Sequence, residues 1–260
     1  PLSAYDSCRL ISINLKNFVL NPFTDTARFD FKKFSQMVAA AMRLSDDLVE
    51  LELEKLENIR TVSDMSDEKE LWNKLYETCA NGRRTGLGTH GLADVLACLN
   101  LAYDSDESIE IIDKIYRTLK ISSYEESVEL AIERGSFPVF SWETEKNNAF
   151  IKSLPKALRE RIKKHGRRNI SILTNAPTGS VSIMSQTSSG LEPVFRNSYI
   201  RRRKLDHSEK TNADFVDDLG DRWKEFKVYH HNVRQYLDGR EDADLPSFFT
   251  ESHEIDWMRR

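Results

Sequence analysis

Helical spacing of apolar residues dominates the first two-thirds of the chain. Behind Asp30, the residues Phe34, Val38 and Ala41 follow at steps of three and four, which predicts an amphipathic helix running from Phe31 towards Glu52. Four further helices are predicted from the same spacing and from residues typical of helix ends. They are Asp64 to Ala80 with Gly82 as its stop, a helix beginning near His90, a helix capped at Asp104 that runs to Gly135 with an interruption near Ser122 and Ser123, and a helix from Ser153 to Gly166.

Strand patterns are fewer and shorter. Leu10 to Leu15 alternates apolar and polar residues, and two short apolar runs, Phe137 to Phe140 and Ile170 to Leu173, also predict strands. Strands that alternate with helices favour an α/β layer or an α/β barrel.

Beyond Phe195 the pattern changes. Ser198 to Leu205 and Asp221 to Tyr229 both alternate as surface strands do, so we predict a hairpin-like excursion over residues 196–240. The basic run Arg201 to Lys204 resembles a nucleic-acid patch, but acidic residues stand close to it and strand alternation divides its charges between two faces. We therefore favour a solvated hairpin over a nucleic-acid surface.

Composition excludes several function classes. The net charge of −4 argues against a generic polyanion binder, and the longest apolar run, Met37 to Met42, is far below the roughly 18 residues that span a membrane. No secretory signal is visible at the N-terminus. The three cysteines, Cys8, Cys79 and Cys98, form neither a disulfide framework nor a Cys-x-x-Cys motif, so we expect no metal site and a cytoplasmic protein.

The stretch from Asn169 to Met184 carries the clearest chemistry. Its predicted strand ends in Pro177-Thr-Gly-Ser-Val181, where closely spaced backbone N–H groups and hydroxyls favour an anion if a helix begins there. The standard nucleotide P-loop, with its lysine, is absent from the sequence. The residues alone leave two alternatives open, a phosphate site and an ordinary strand-to-helix turn.

Three segments in order resemble one enzyme family. Asn175-Ala-Pro-Thr-Gly-Ser180 with Ser188-Ser-Gly-Leu-Glu-Pro193 is similar to the substrate-phosphate loop of ribonucleotide reductase catalytic subunits, especially those of the adenosylcobalamin-dependent class. Pro1 to Leu15, with Asp6-Ser-Cys-Arg-Leu10, resembles the family segment that follows the finger loop in the active site. Arg83 to Asp94 is similar to a glycine-rich turn that leads into a helix.

The resemblance implies a fold and a reaction. The fold is a ten-stranded α/β barrel of which this helix-rich chain, residues 1–260, supplies much of the second half as a fragment of one catalytic domain. Because Ser252 to Met258 resembles a family segment that continues past Arg260, we expect an internal piece of a longer protein. The reaction is reduction of ribonucleoside di- or triphosphates to deoxyribonucleotides, and the isolated piece should not turn over.

The resemblance also implies site residues. Cys8 corresponds to one of two thiols that become a disulfide as they deliver electrons, while its partner and the thiyl-radical cysteine are expected upstream of Pro1. Pro177, Thr178, Gly179, Ser180 and Val181 correspond to the substrate-phosphate holders. The implied cofactor is adenosylcobalamin, and the implied partners are a thioredoxin-like dithiol and a second subunit in a homodimer. A radical source in a diiron partner subunit, or a non-catalytic phosphate- or nucleotide-binding module, remains the alternative.

Other conspicuous residues receive structural interpretations. His90 is predicted to be a helix-entry residue and not a metal ligand, because the other histidines offer no metal-ligand spacing. Cys79 and Cys98 belong to apolar helix faces, and Asn14 is expected to brace the backbone. Two interpretations of Arg83 and Arg84 stay open with equal weight, that they face a nucleotide or that they complement the dipole of a helix end. Glu192 is not expected to be catalytic.

Overall fold

The computed structural model describes residues 2–63, 65–240, 244–256 and 258; Asp64, the predicted start of the second helix, lies outside these ranges, as does residue 257 of the C-terminal family segment. In chain order the described residues form β1 (Arg9–Asn14), β2 (Val19–Leu20), β3 (Arg28–Phe29), α1 (Phe31–Val62), α2 (Ser66–Gly82), β4 (Thr85–His90), α3 (Leu92–Cys98), α4 (Asp106–Arg134), α5 (Trp142–Glu145), α6 (Ala149–Lys152), α7 (Lys156–His165), α8 (Gly179–Ser185), β5 (Ser198–Lys204), β6 (Phe215–Val216), β7 (Arg222–Tyr229) and α9 (His231–Leu237). Short 3₁₀ helices cover Leu15–Phe18 and Ser252–Glu254.

A parallel sheet segment lies at the centre of the structure. β1 pairs with β4 from Arg9 opposite Thr85 to Asn14 opposite His90. On the other side of β4, residues 171–174 run parallel to it, and the Leu87 N–H donates to the Ile172 carbonyl at 2.8 Å. β4 is therefore a central strand. Within the described ranges these strands close no barrel.

The strand β4 corrects one prediction. The glycines of Arg83 to Asp94 were expected to form a turn, but Thr85–His90 is a fully buried strand. Gly86 and Gly88 are needed because neighbouring chain lies directly against them: a Cβ on Gly88 would stand 2.0 Å from the Thr174 carbonyl oxygen. These glycines permit close approach of another backbone within a strand.

The helices cover one face of this sheet. Phe34, Val38 and Met42 of α1 are fully buried and join the main core with Ile13 of β1 and Leu87 of β4. The helix begins at Phe31 as predicted, and the Asp30 side chain caps it by accepting a hydrogen bond from the Lys33 N–H. The helix continues ten residues beyond Glu52, to Val62, because its C-terminal half packs Leu53 and Leu56 against α2.

Two predictions about α4 are wrong. The helix is continuous through Ser122 and Ser123, because the Ser123 hydroxyl donates to the Lys120 carbonyl and adds no break. Its N-cap is Ser105 and not Asp104, with the Ser105 hydroxyl accepting from the Ser108 N–H at 3.1 Å.

Two more predictions need correction. The run from Phe137 to Phe140 is a turn closed by a hydrogen bond from the Phe140 N–H to the Phe137 carbonyl, since its apolar rings pack on each other and no strand lies beside it among the described residues. Ser153 ends α6, and the following helix α7 begins after Pro155, whose fixed φ suits a helix start.

A buried ion-pair network joins the helices to the N-terminal end of β4. The Asp46 carboxylate of α1 is fully buried and accepts from Arg83 at 2.8 Å, from Arg168 at 3.3 Å and from the Asn169 amide at 3.0 Å. Burial raises the pKa of Asp46, but the charges of Arg83 and Arg168 outweigh it and the net pKa is lowered. The carboxylate therefore stays ionised in the core.

The predicted surface strands are confirmed. β5 pairs antiparallel with β7 from Ser198 opposite Tyr229 to Lys204 opposite Trp223. Acidic side chains pair with most of the basic run: Arg202 with Glu225 at 2.8 Å, Arg203 with Glu209 at 2.7 Å, and Lys204 with Asp221. Such pairing is typical of a solvated face.

Candidate active site

Cys8 lies immediately before β1 and is half-buried. Its thiol is free and its sulfur stands 3.8 Å from the Thr85 carbonyl oxygen at the start of β4. The same sulfur is 3.5 Å from the position that a Cβ on Gly86 would occupy. The absence of a side chain at Gly86 therefore leaves the thiol in contact with the sheet face opposite the helices.

Thr174 lies on the same side of Gly86 as Cys8. The Thr174 methyl carbon is 2.8 Å from the position that a Cβ on Gly86 would occupy. Since Pro177 follows only three residues later, extended chain of about 11 Å at most separates Thr174 from the predicted phosphate loop. Cys8 and the segment leading into the loop thus lie on one side of β4.

The predicted loop is a tight turn that opens α8. Thr178 is the N-cap in the left-handed conformation, with φ 53°, and Gly179, Ser180 and Val181 form the exposed first turn. Within the described residues, the backbone N–H groups of Gly179, Ser180 and Val181 donate no hydrogen bond. Unpaired N–H groups at a helix start favour an anion.

The far side of this turn is fixed by the chain that returns after α8. The Gly190 N–H donates to the Thr178 hydroxyl at 2.9 Å, and the hydroxyls of Ser182 and Ser189 are 2.8 Å apart. The Ser182 hydroxyl also donates to the Gly179 carbonyl. Thr178 and Ser182 therefore use their hydroxyls to shape the turn, whereas Ser180 remains exposed.

His90 is the last residue of β4 and comes directly before Gly91, the N-cap of α3, so it lies at the entry to a helix as predicted. Its Nδ1 is 2.8 Å from the Ser12 hydroxyl and its Nε2 is 3.1 Å from the Ser185 hydroxyl. Burial lowers the pKa of His90, although the Asp94 charge acts in the opposite direction. The neutral ring links β1, β4 and α8.

Asp94, which the sequence analysis did not single out, is the most connected carboxylate near the loop. It is fully buried on α3, accepts from the Ser188 N–H at 2.7 Å and lies 2.7 Å from His230 Nε2. In the sequence Asp94 shows only as an acidic residue in the first turn of a helix. Its partners are 94 and 136 residues away, so local pattern offers no sign of them.

The remaining candidates have structural roles. Arg83 caps α2 and pairs with Asp46, and Arg84 pairs with Asp6 at 2.5 Å. Cys79 and Cys98 are buried on helices as predicted, and burial raises the pKa of their thiols to about 11 and about 12.

Two further predictions concern Asn14 and Glu192. The Asn14 side chain accepts from the Lys16 N–H, which confirms its bracing role. Glu192 is exposed, and its own N–H donates to the Ser189 carbonyl.

A cavity of about 1240 Å³ opens beyond the C-terminal end of β1. Its lining includes Asn14, Lys16, Lys227 and Arg234, together with Gln186 after α8. None of the predicted phosphate holders lines it. The predicted loop is thus an exposed turn and not the wall of this cavity.

The described ranges contain neither a cluster of metal ligands nor a membrane-spanning helix. No group of three or more His, Cys, Asp or Glu side chains is arranged to hold a metal ion there. In the same part of the chain no helix is both long and apolar enough to cross a membrane.

A parallel sheet segment backed by long helices, with a thiol and a glycine-containing turn on its open side, places the chain among mixed α/β domains. Residues 2–259 match the family described as "Ribonucleotide reductase, barrel domain". The chain belongs to this family, as the three motifs indicated.

Named relatives agree with the family match. The chain is 29% identical over 215 residues to the "Vitamin B12-dependent ribonucleoside-diphosphate reductase" of Mycobacterium tuberculosis (strain CDC 1551 / Oshkosh), covering 83% of this chain and 26% of that protein. It is 29% identical over 266 residues to the protein of the same name from Thermoplasma acidophilum, and the match covers 98% of this chain and 29% of that protein. The "Ribonucleoside-diphosphate reductase large subunit" of Vaccinia virus (strain Copenhagen) is 26% identical over 266 residues, and the match covers 97% of this chain and 32% of that protein.

A solved structure supports the fold. The "Actinobacillus ureae class Id ribonucleotide reductase alpha subunit" superimposes with a TM-score of 0.53 at 20% identity, covering 94% of this chain and 32% of that one. At this identity the likeness concerns the fold alone. The chain spans about a quarter to a third of the length of these relatives.

Proposed function

We propose that the full-length protein is a ribonucleotide reductase that converts ribonucleoside di- or triphosphates to deoxyribonucleotides. The observation that carries this proposal is the family match over residues 2–259. The position of Cys8 and Thr174 on the same side of Gly86 supports it, because a nucleotide extended from the thiol towards the loop would place sugar and phosphates at opposite ends.

Cys8 is proposed as one of two electron-donating thiols. In the reduction, the 2′-hydroxyl of the ribose leaves as water and a hydrogen takes its place on carbon. The two thiols supply two electrons and two protons and form a disulfide. Cys79 and Cys98 are not proposed as the second thiol, because burial raises their pKa to about 11 and about 12. A thioredoxin-like dithiol would then reduce the disulfide.

The turn Pro177 to Val181 is proposed to hold the substrate's phosphates. Its support is the motif together with the unbonded N–H groups of Gly179, Ser180 and Val181 in the described structure. Thr178 contributes by holding the left-handed backbone that aims these groups outward. Pro177 has no N–H to donate and fixes the backbone before the turn.

Two substitutions in the full-length enzyme test these roles. Cys8→Ser should abolish turnover supported by an external dithiol, whereas Cys79→Ser, which keeps an acceptor for Arg9, should not. Dithiol-driven turnover that survives Cys8→Ser would reject the redox role and move weight to a non-catalytic phosphate- or nucleotide-binding module.

The phosphate role is tested at Gly179. A Cβ there meets nothing within 4 Å, so Gly179→Asp adds a negative charge without a clash, and Gly179→Ala is a matched neutral control. The aspartate should raise KM about tenfold or more while alanine leaves it nearly unchanged. Equal KM values for the two variants would reject the phosphate assignment.

The radical source is proposed to be adenosylcobalamin, because two of the named relatives carry "Vitamin B12-dependent" in their names. Bound cobalamin supplies a carbon radical that starts the reaction. His90 is not free to act as a cobalt ligand in the described structure, because both its ring nitrogens are engaged by serine hydroxyls. No residue is therefore assigned to this cofactor.

The alternative radical source is a metal-bearing partner subunit. It is favoured by relatives whose names contain "large subunit", as in Vaccinia virus. Turnover that requires added adenosylcobalamin supports the first proposal, and turnover that requires a second metal-bearing subunit overturns it. A homodimer is proposed from the resemblance and a cytoplasmic location from the cysteine pattern, and light scattering of the full-length protein tests the first.

A further inference from the structure

Asp94 joins three chain segments that are distant in sequence. Its carboxylate is fully buried at the start of α3. One oxygen accepts from the Ser188 N–H at 2.7 Å, and the other lies 2.7 Å from His230 Nε2, just before α9. The Asn232 amide additionally donates to the Asp94 backbone carbonyl at 3.2 Å.

The contact with Ser188 leads directly to the predicted phosphate turn. The Gly91 N–H donates to the Ser188 carbonyl at 3.0 Å, so Ser188 is held by α3 on both its N–H and its carbonyl. Two residues later, the Gly190 N–H donates to the hydroxyl of Thr178, the N-cap of α8. Displacement of Ser188 would therefore move the group that holds Thr178.

A carboxylate fits both partners of this junction. An ionised Asp94 accepts from the Ser188 N–H and, when the His230 ring carries its proton on Nε2, from the ring as well. An asparagine has a single acceptor oxygen, so when that oxygen keeps the Ser188 N–H, its NH₂ group faces His230 Nε2 and the ring must carry its proton on Nδ1 instead. A ring that keeps its Nε2–H leaves two buried donors facing each other, which is costly and would open the junction.

We propose that Asp94, oriented by His230, is a positioning residue that holds the substrate-phosphate turn in place through Ser188, Gly190 and Thr178. This inference rests on the proposed function, because it assigns a purpose to the turn that the reductase would use. Asp94 itself touches no phosphate holder and acts through the returning chain. Its loss should therefore weaken substrate binding more than it slows the chemical step.

The test uses the full-length enzyme and steady-state kinetics with a ribonucleoside diphosphate. Asp94→Asn should raise KM about tenfold with kcat within about twofold of wild type. Asp46→Asn is the matched control, since Asp46 is equally buried and ion-paired but lies at the opposite end of β4. If lost stability alone raised KM, both variants would show it.

A second variant keeps the test decisive if Asp94→Asn does not fold. His230 is only half-buried, and His230→Ala removes the orienting partner while Ser188 keeps its acceptor. It should raise KM about threefold, and Asp94→Asn combined with His230→Ala should be no worse than Asp94→Asn alone. Contacts that act as one unit give such non-additive effects, whereas independent destabilisation adds.

The outcomes separate this inference from the proposed function. A wild-type KM in both Asp94→Asn and His230→Ala, with KM raised by Gly179→Asp, overturns the positioning role and leaves the phosphate turn intact. A wild-type KM in all three variants overturns both. Equal increases for Asp94→Asn and Asp46→Asn also overturn the positioning role.

Discussion

Gly88 is the residue at which one added methyl group should do most damage to the sheet. A Cβ there would lie 2.0 Å from the Thr174 carbonyl oxygen, 3.1 Å from its carbonyl carbon and 3.4 Å from the Asn175 Cα. All three atoms are backbone, so no rotamer change relieves the clash. Gly88→Ala must therefore push residues 174 and 175 away from β4.

The cost follows from the contacts that would be lost. Overpacking of this kind costs about 1–3 kcal/mol. Moving the chain also strains the hydrogen bonds from Thr174 N–H to the Leu87 carbonyl and from Leu87 N–H to the Ile172 carbonyl, each worth about 1 kcal/mol. A local destabilisation of about 3 kcal/mol results, which raises the opening equilibrium, and with it the exchange rate, roughly hundredfold.

Hydrogen exchange of the full-length protein measures this directly. The amides of Leu87 and Thr174 should lose protection in Gly88→Ala, while Gly179→Ala, at a position with open space, should exchange as wild type. Gly86→Ala should fall between them, because its nearest neighbours are the movable side-chain ends of Leu10 and Thr174. Unchanged protection in Gly88→Ala would refute the reasoning.

Two other predictions concern ionisable groups. The lowered pKa of Asp46 means that its stabilisation is present above the ordinary aspartate pKa of about 3.9 and is lost as pH falls through the lower folded value. Asp46→Asn should lower the free energy of unfolding by about 3–5 kcal/mol at neutral pH. It should also weaken the dependence of that free energy on pH in the acidic range, and a dependence as steep as that of wild type would contradict this. Alkylation at neutral pH, read by mass spectrometry, should modify Cys8 well before Cys79 or Cys98, because burial raises the pKa of those two thiols; equal rates would contradict it.

The sequence predicted most of the elements whose patterns are local. The start of α1, the strand near Leu10 and the two long hairpin strands are present in the structure, each beginning within one residue of its predicted start. These features depend on neighbours in the chain. Helix α1 exceeded its predicted length because its last turns pack on α2, a contact that periodicity within one segment does not reveal.

The failures share a physical cause. Gly86 and Gly88 suggested a turn because glycine commonly marks one, yet here they make room for another backbone in a buried strand. Asp94 looked like an ordinary helix-start residue because its partners, Ser188 and His230, are remote in sequence. The motifs predicted the family, whereas the contacts around the candidate site required coordinates.

The order in which the sheet forms follows from its long-range pairing. Arg9 and Arg84, joined at the edge of β1 and β4, are 75 residues apart in the chain, and the helices α1 and α2 lie between them. Local contacts form faster than pairings that close long loops. We therefore expect the α1–α2 hairpin to fold first and bring β1 to β4, with residues 171–174 docking last. A nascent chain would expose the glycine face of β4 until that final step, so this face is where folding is most vulnerable to competing association.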